Sequence, residues 1–243
     1  DMVSIGRPLI VDPELPNKYK NGQYNDIRTC IACNQGCFDS LLNFKPVSCT
    51  YNAMVGHEGE YKLTKTSKPK KIVIVGGGPG GMEAARVLAL RGHNVTLYEK
   101  NNQLGGQLRY AYIPPGREEI QNIITYLERQ ISKLKVTIKM GKEADLQTLE
   151  EEHPDAVIVA TGGRPIMLNL PGIKGENVYI ASSVLEGKVT TGKDVVIIGG
   201  GTVGCEVALY VAKQGAMRPD VACFLLKHKV LDAKDIVEYT SKG

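Results

Sequence analysis

Four of the chain's six cysteines fall close together, as Cys30, Cys33, Cys37 and Cys49. Their spacing is C-x2-C-x3-C-x11-C. Three neighbouring thiolates can grip one face of a metal centre, and a fourth from further along the chain can close it. A secreted disulfide scaffold would be shorter and more evenly stapled, so the grouping points to a metal or redox site. Tetrahedral zinc is one possible occupant, although zinc sites more often use two CxxC pairs or a CxxC/HxxxH pair. The spacing also departs from the ferredoxin patterns. Spacing alone therefore leaves zinc and an iron–sulfur cluster both open. Cys205 and Cys223 stand apart and are expected to be small buried residues.

A second kind of chemistry lies in the glycines. Gly76, Gly78 and Gly81 form G-x-G-x-x-G directly after the apolar run Ile72-Val73-Ile74-Val75 and before a helical pattern. That is the context the pattern needs to mean dinucleotide binding. The first glycine permits a tight turn, and the second leaves room for a pyrophosphate against the backbone. The third allows close helix–strand packing. Pro79 opens the helix, whose free N–H groups and positive dipole end suit phosphate. Glu99-Lys100 closes the next strand, where a carboxylate can accept bonds from ribose hydroxyls. Gly199, Gly201 and Gly204 repeat the device, with Glu206 one turn into the following helix.

These motifs need a parallel sheet to hold them. Short apolar runs at 72–75, 95–98, 136–138 and 156–160 predict strands, the last of them buried. Helices are expected after Gly78 and, from Ile120, Ile123, Ile124, Leu127, Ile131 and Leu134, across the next amphipathic stretch. Asp194–Ile198 is read as a strand of a second βα unit. Residues 215–243 are read as a helix or an irregular insertion. Strands alternating with helices give an α/β, Rossmann-like fold with a parallel sheet. An irregular cysteine-rich segment precedes it, and a truncated second nucleotide unit follows it.

Two further pieces bear on the cofactor. Leu104-Gly105-Gly106-Gln107 follows Glu99, and Thr161-Gly162 follows the strand at Ala156. Together at these distances they resemble the FAD-binding half of two-dinucleotide flavoproteins, in which the second glycine loop binds NAD(P)H. Cofactor contacts at Gly106, Gln107, Thr161 and Gly162 follow from that resemblance. Nearly the whole chain is similar to the C-terminal part of iron–sulfur members of the old yellow enzyme family. The resemblance is carried by Ser4-Ile5-Gly6-Arg7-Pro8, Leu15-Pro16-Asn17-Lys18, Asp26-Ile27-Arg28, the stretch Cys30 to Cys37, and Pro114-Pro115-Gly116-Arg117. It implies a 4Fe-4S cluster rather than zinc on the four cysteines. It also assigns residues 1–20 to the end of a TIM barrel, 21–67 to the cluster segment, 68–166 to the FAD-binding domain and 167–243 to an incomplete NAD(P)H-binding domain.

The implied role is electron transfer in an NAD(P)H-dependent ene-reductase, from NAD(P)H through FAD and the cluster. The next carrier, FMN, would sit in the missing barrel of a parent protein and pass hydride to the substrate, and Gly6 and Arg7 match positions near its phosphate. 2-Enoate reductase and 2,4-dienoyl-CoA reductase are the family members that fit, with an activated C=C bond as substrate. The alternative is an ADP-binding structural module of a trimethylamine dehydrogenase-like enzyme. No side chain stands out as a catalytic acid or base, and His57, His93, His153 and His228 are expected in solvated or packing roles. A formal charge of +4 over 243 residues makes no case for nucleic acid. The absence of any run of eighteen apolar residues makes none for a membrane. Both ends read as cuts, and a cytoplasmic setting is expected.

Overall fold

A computed structural model describes residues 2–214, 217 and 219–242, with the backbone alone at 238–242. The chain divides into two compact units. One runs to Tyr112 and resumes over Glu118–Arg164, and the other combines Ile113–Arg117 with the chain from Pro165 onward.

The first unit opens with three short helices, α1 (Arg7–Val11), α2 (Leu15–Lys20) and α3 (Phe38–Leu42), and irregular chain around them. The alternating part follows as β1 (Lys71–Val75), α4 (Pro79–Leu90), β2 (Asn94–Glu99), α5 (Leu108–Ala111), α6 (Gln121–Lys133), β3 (Thr137–Met140), α7 (Leu146–Glu152) and β4 (Ala156–Val159). The sheet order is β3-β2-β1-β4 and every pairing is parallel. Ile74 stands level with Leu97 on one side and Ile158 on the other.

Local chemistry explains these elements. β1 is a β-branched run, and Val73 and Ile74 within it are fully buried. Helix α4 has proline in its first turn, where the missing N–H costs nothing, and stops before Gly92 at φ 86°. Helix α6 buries one stripe through Ile123, Tyr126, Leu127 and Ile131. That stripe joins Met82 and Ala85 of α4 and Ile72, Ile74 and Leu97 of the sheet in one core. The predicted parallel sheet and both long helices are borne out. The third strand begins at Thr137 rather than Val136 and runs to Met140.

Three expectations are corrected. β4 is not buried throughout: Val157 is 38 % and Val159 73 % exposed. It has one strand neighbour among the described residues. Ile158 and Ala160 pack on the core while the opposite face is uncovered. Asp194–Ile198 forms no strand among the described residues, and Val196 and Ile198 are exposed. A strand's backbone groups need a neighbour to pair with, and none is present in that unit among the described residues. Cys205 and Cys223 are exposed rather than buried, because the faces of the helices that carry them lack cover.

The second unit contains α8 (Ala181–Leu185), α9 (Thr202–Lys213), α10 (Pro219–Lys227) and α11 (Ala233–Lys242). Val184 and Leu185 on α8 and Val207 on α9 are among its buried residues. The helical reading of the tail holds where it is described, and residues 215, 216, 218 and 243 lie outside the described residues.

One carboxylate ties the sheet of the first unit to α7. Glu152 pairs with Lys139 of β3 at 2.7 Å and Lys71 of β1 at 2.8 Å. It also accepts from the Tyr98 hydroxyl of β2 at 2.6 Å. The bonds from Lys139, Lys71 and Tyr98 pull its carboxyl down from 4.5 to about 2. A depressed carboxyl adds stability above its unfolded value and loses it on acidification. The unfolding temperature should therefore fall as pH drops from 4.5 toward about 2. In Glu152→Gln the curve should start lower and be flatter over that window, as read by thermal melts across pH.

Candidate functional site

The first glycine loop leaves β1 at the C-terminal edge of the sheet. It lies where the strand order reverses between β2-β1 and β1-β4. In open α/β sheets that crevice is where ligands bind. Gly76 has φ 109°, a conformation only glycine adopts freely. A Cβ there would strike the carbonyl oxygen of Ala160, so the loop and the end of β4 touch backbone to backbone. A Cβ on Gly81 would run into the carbonyl oxygen of Gly76. Gly78 caps α4 in an extended conformation (φ −73°, ψ −178°), with Gly106 Cα the nearest atom, 3.9 Å from where its Cβ would be.

The other predicted pieces gather around this cradle. Gly105 N–H donates to Gly77 O at 2.9 Å, which lays the Leu104–Gln107 loop along the glycines. Gln107 Nε2 donates to Gly163 O at 2.9 Å, joining that loop to the turn after β4 that carries Thr161 and Gly162. Glu99 is 5 % exposed and receives Gly77 N–H at 2.7 Å on one oxygen. Its other oxygen accepts from the N–H and Nδ2 of Asn101, both at 2.8 Å. Glu99 thus shapes the loop. Lys100 beside it is exposed. Asn101 was not legible in advance, since nothing in its sequence context marks it as the partner that orients Glu99.

The second loop repeats the first nearly angle for angle. Gly199 has φ 112°, and Gly201 caps α9 at φ −76°, ψ −178°. A Cβ on Gly204 would meet Gly199 O just as one on Gly81 meets Gly76 O. The surroundings differ. Nothing lies within 4 Å of where a Cβ would sit on Gly199, Gly200 or Gly201. Glu206 forms an ion pair with Arg117, both in the second unit. The backbone cradle has formed while its walls have not, because the strand expected before it is unpaired.

All four clustered cysteines line one small pocket, together with Arg7, Asn34, Gly36, Thr50 and Tyr51. Ala32 and Asn34 adopt left-handed φ of 53° and 60°, so the chain coils tightly between the thiols. Gly36 packs on the irregular chain leading into Cys49: a Cβ there would lie 2.9 Å from Ser48 C and O. Ser48 N–H donates back to Gly36 O at 2.8 Å. Backbone N–H groups point at sulfur, Ala32 to Cys30 Sγ and Tyr51 to Cys49 Sγ, each at 3.4 Å. Cys33 Sγ lies 3.2 Å from Thr50 Oγ1. Among the described residues no three Cys, His, Asp or Glu side chains stand close enough to hold a single metal ion. Arg7 bonds Asn34 at 2.6 Å in this segment. The four histidines are scattered: His57 stacks on Tyr61, His93 accepts from Lys70 N–H, His153 caps α7, and His228 lies against Phe224.

Two glycine cradles on one chain define a dinucleotide-binding protein. Residues 70–240 match the family described as pyridine nucleotide-disulphide oxidoreductase. The chain belongs to that family, and it corresponds to the C-terminal part of old yellow enzyme-like iron–sulfur flavoenzymes, as its motifs suggested. It is 41 % identical to a metal reductase of Desulforamulus reducens over the whole of this chain and 37 % of that protein. It is 43 % identical to the cinnamate reductase of Clostridium sporogenes over 88 % of this chain and 32 % of that protein. The solved structure of a 2-naphthoyl-CoA reductase superposes with a TM-score of 0.84 at 39 % identity, covering 94 % of this chain and 36 % of that one. The chain thus spans about a third of the length of the curated relatives it matches.

The glycine geometry sets a clear expectation. Gly81→Ala should lower stability by about 1–3 kcal/mol, because a buried methyl is forced against fixed backbone. Gly80→Ala, with open space around it, should stay within about 0.5 kcal/mol of the parent. Urea unfolding of the two variants checks the contrast.

Proposed function

We propose that this chain is the electron-transfer portion of an NAD(P)H-dependent ene-reductase of the CH–CH class. The reading is carried by a single observation: four thiols line one pocket in the same unit as a complete dinucleotide cradle. A second cradle of matching geometry follows on the chain. Reductases of cinnamate and of 2-naphthoyl-CoA among its relatives support a conjugated C=C bond as the final acceptor of the parent protein.

The first cradle suits FAD. Gly76, Gly78 and Gly81 leave room for the pyrophosphate, Pro79 begins the helix whose N–H groups face it, and Glu99 offers a carboxylate to the ribose. Lys100, Gly106, Gln107, Thr161 and Gly162 surround the rest. Gly199, Gly201, Gly204 and Glu206 are assigned to NAD(P)H. Cys30, Cys33, Cys37 and Cys49 are assigned to a 4Fe-4S cluster.

The donor set fits a cluster better than zinc. Zinc at about 2.3 Å from each sulfur would draw the thiolates into a tight tetrahedron. A four-iron cluster is likewise held by four thiolates, and the resemblance of the Cys30 to Cys37 stretch to a cluster motif favours it over zinc. The N–H bonds to Cys30 and Cys49 sulfur are of the kind that tune a cluster's potential.

Hydride from nicotinamide carries two electrons, a cluster passes one at a time, and a bound flavin supplies the conversion between them. The chain's own residues hold, orient and shield these groups. FMN and the substrate would belong to a barrel domain of the parent protein, in a cytoplasmic setting.

Anaerobic purification followed by metal, sulfide and nucleotide analysis tests the assignment. About four iron and four sulfide per chain are expected, with bound FAD. Cys33→Ser should lose most of the iron and keep the flavin. Zinc without iron, or ADP without flavin, would overturn it.

A further inference from the structure

One buried cation joins the thiol pocket to the flavin helix. Arg28 is 6 % exposed and lies two residues before Cys30. Its backbone N–H donates to Asp12 Oδ2 at 2.7 Å, and Asp12 is itself 3 % exposed and paired with Lys18. Its guanidinium reaches the other end of the thiol segment, where Nη1 donates to Tyr51 O at 3.2 Å, two residues past Cys49. Tyr51 also presents its N–H to Cys49 sulfur.

The same guanidinium stands over two rings, 5.1 Å from the Tyr51 centroid and 5.0 Å from that of Tyr126 on α6. The rings meet edge to face at 5.9 Å. Nη2 lies 3.8 Å from Glu83 Oε1 on α4, and Arg86 holds Glu83 in a fork at 2.6 and 2.7 Å. Glu83 and Arg86 sit on the helix whose N-terminus forms the first cradle. One residue therefore sits at the Cys30 end of the cysteine segment while its side chain touches the Cys49 end and both long helices of the nucleotide fold.

A solvated linker would not be built this way. Burying a guanidinium is costly unless charge, hydrogen bonds and aromatic faces compensate, and here all three are supplied. The fork also has a geometry that lysine cannot copy. A surface pair on the same interface makes the contrast: Lys133 of α6 binds Asp26 at 2.5 Å while 53 % exposed, and carries little of this directional constraint.

We infer that Arg28 is a positioning residue: it fixes the four-thiol pocket in register with the first nucleotide cradle, so that an electron passes efficiently from flavin to cluster. This rests on the cofactor assignment above. The step is a bare electron transfer, in which the reduced flavin loses one electron, the oxidised cluster gains it, and no bond to Arg28 forms or breaks. Tunnelling falls steeply with separation, so a loosened register slows transfer without removing either cofactor.

The test uses the full chain loaded anaerobically with FAD, iron and sulfide. The flavin is reduced with NADH or photochemically, and cluster reduction is followed by freeze-quench EPR. Arg28→Lys should keep its iron, sulfide and flavin yet slow cluster reduction by about tenfold or more, the scale of loss when a supporting contact is removed. Glu83→Gln should act in the same direction more weakly. Lys133→Gln should leave the rate unchanged.

An unchanged rate in Arg28→Lys overturns the proposal. So does joint loss of fold and cofactors in both Arg28→Lys and Glu83→Gln, which would make the network mere core. A parent chain that takes up neither iron nor flavin defeats the cofactor assignment, and this inference falls with it. The parent's iron and flavin content tells the two failures apart.

Discussion

Backbone must approach backbone at the turn between β1 and α4, and the architecture of the first unit follows from that contact. Gly76 presents its Cα to the Ala160 carbonyl, and Gly81 presents its own to the Gly76 carbonyl. Both approaches exclude any side chain. They bring the helix start, the end of β4 and the loop at Gly105–Gly106 to one edge of the sheet. There the helix N-terminus carries Gly78 and Gly80 with little or nothing close to where a Cβ would sit, the kind of setting that suits a pyrophosphate.

The same local geometry in the second loop separates two kinds of cause. The angles at Gly199 and Gly201 match those at Gly76 and Gly78 within a few degrees. Such a turn needs only glycines and a following helix. The enclosure of the first loop by Leu104, Glu99 and Ala160 has no counterpart at the second. Enclosure depends on paired strands that deliver loops to the same edge. Asp194–Ile198 is apolar enough for a strand, yet without a partner its backbone groups stay outside any sheet.

The thiol segment obeys a different rule. It contains little regular structure, so it cannot derive its shape from a hydrogen-bonded ladder. It is held instead by the Gly36–Ser48 contact, by left-handed turns at Ala32 and Asn34, and by Arg28 at its two ends. The Gly36–Ser48 contact and the Arg28 bonds join residues remote in sequence, while the turns are local. The buried Arg28 network lends the segment a rigid floor through α4 and α6. The Tyr51 hydroxyl is buried with no hydrogen-bond partner among the described residues.

Much of this was legible from residues alone. An apolar run of β-branched residues ending in glycine favours a strand, as Ile72–Val75 becomes, and a 3.6-residue stripe such as Ile123–Ile131 marks its own helix and face. Glycine motifs carry their own stereochemistry, so Gly76, Gly78, Gly81 and their second copy were readable without neighbours. Tertiary structure decided what depends on partners distant in the chain. It left one face of β4 open, kept Asp194–Ile198 unpaired and exposed Cys205 and Cys223. It closed Glu99 with Asn101, and it placed Arg28 between two tyrosines and Glu83. Burial and pairing are properties of what lies opposite, and no local pattern records what the fold will bring there.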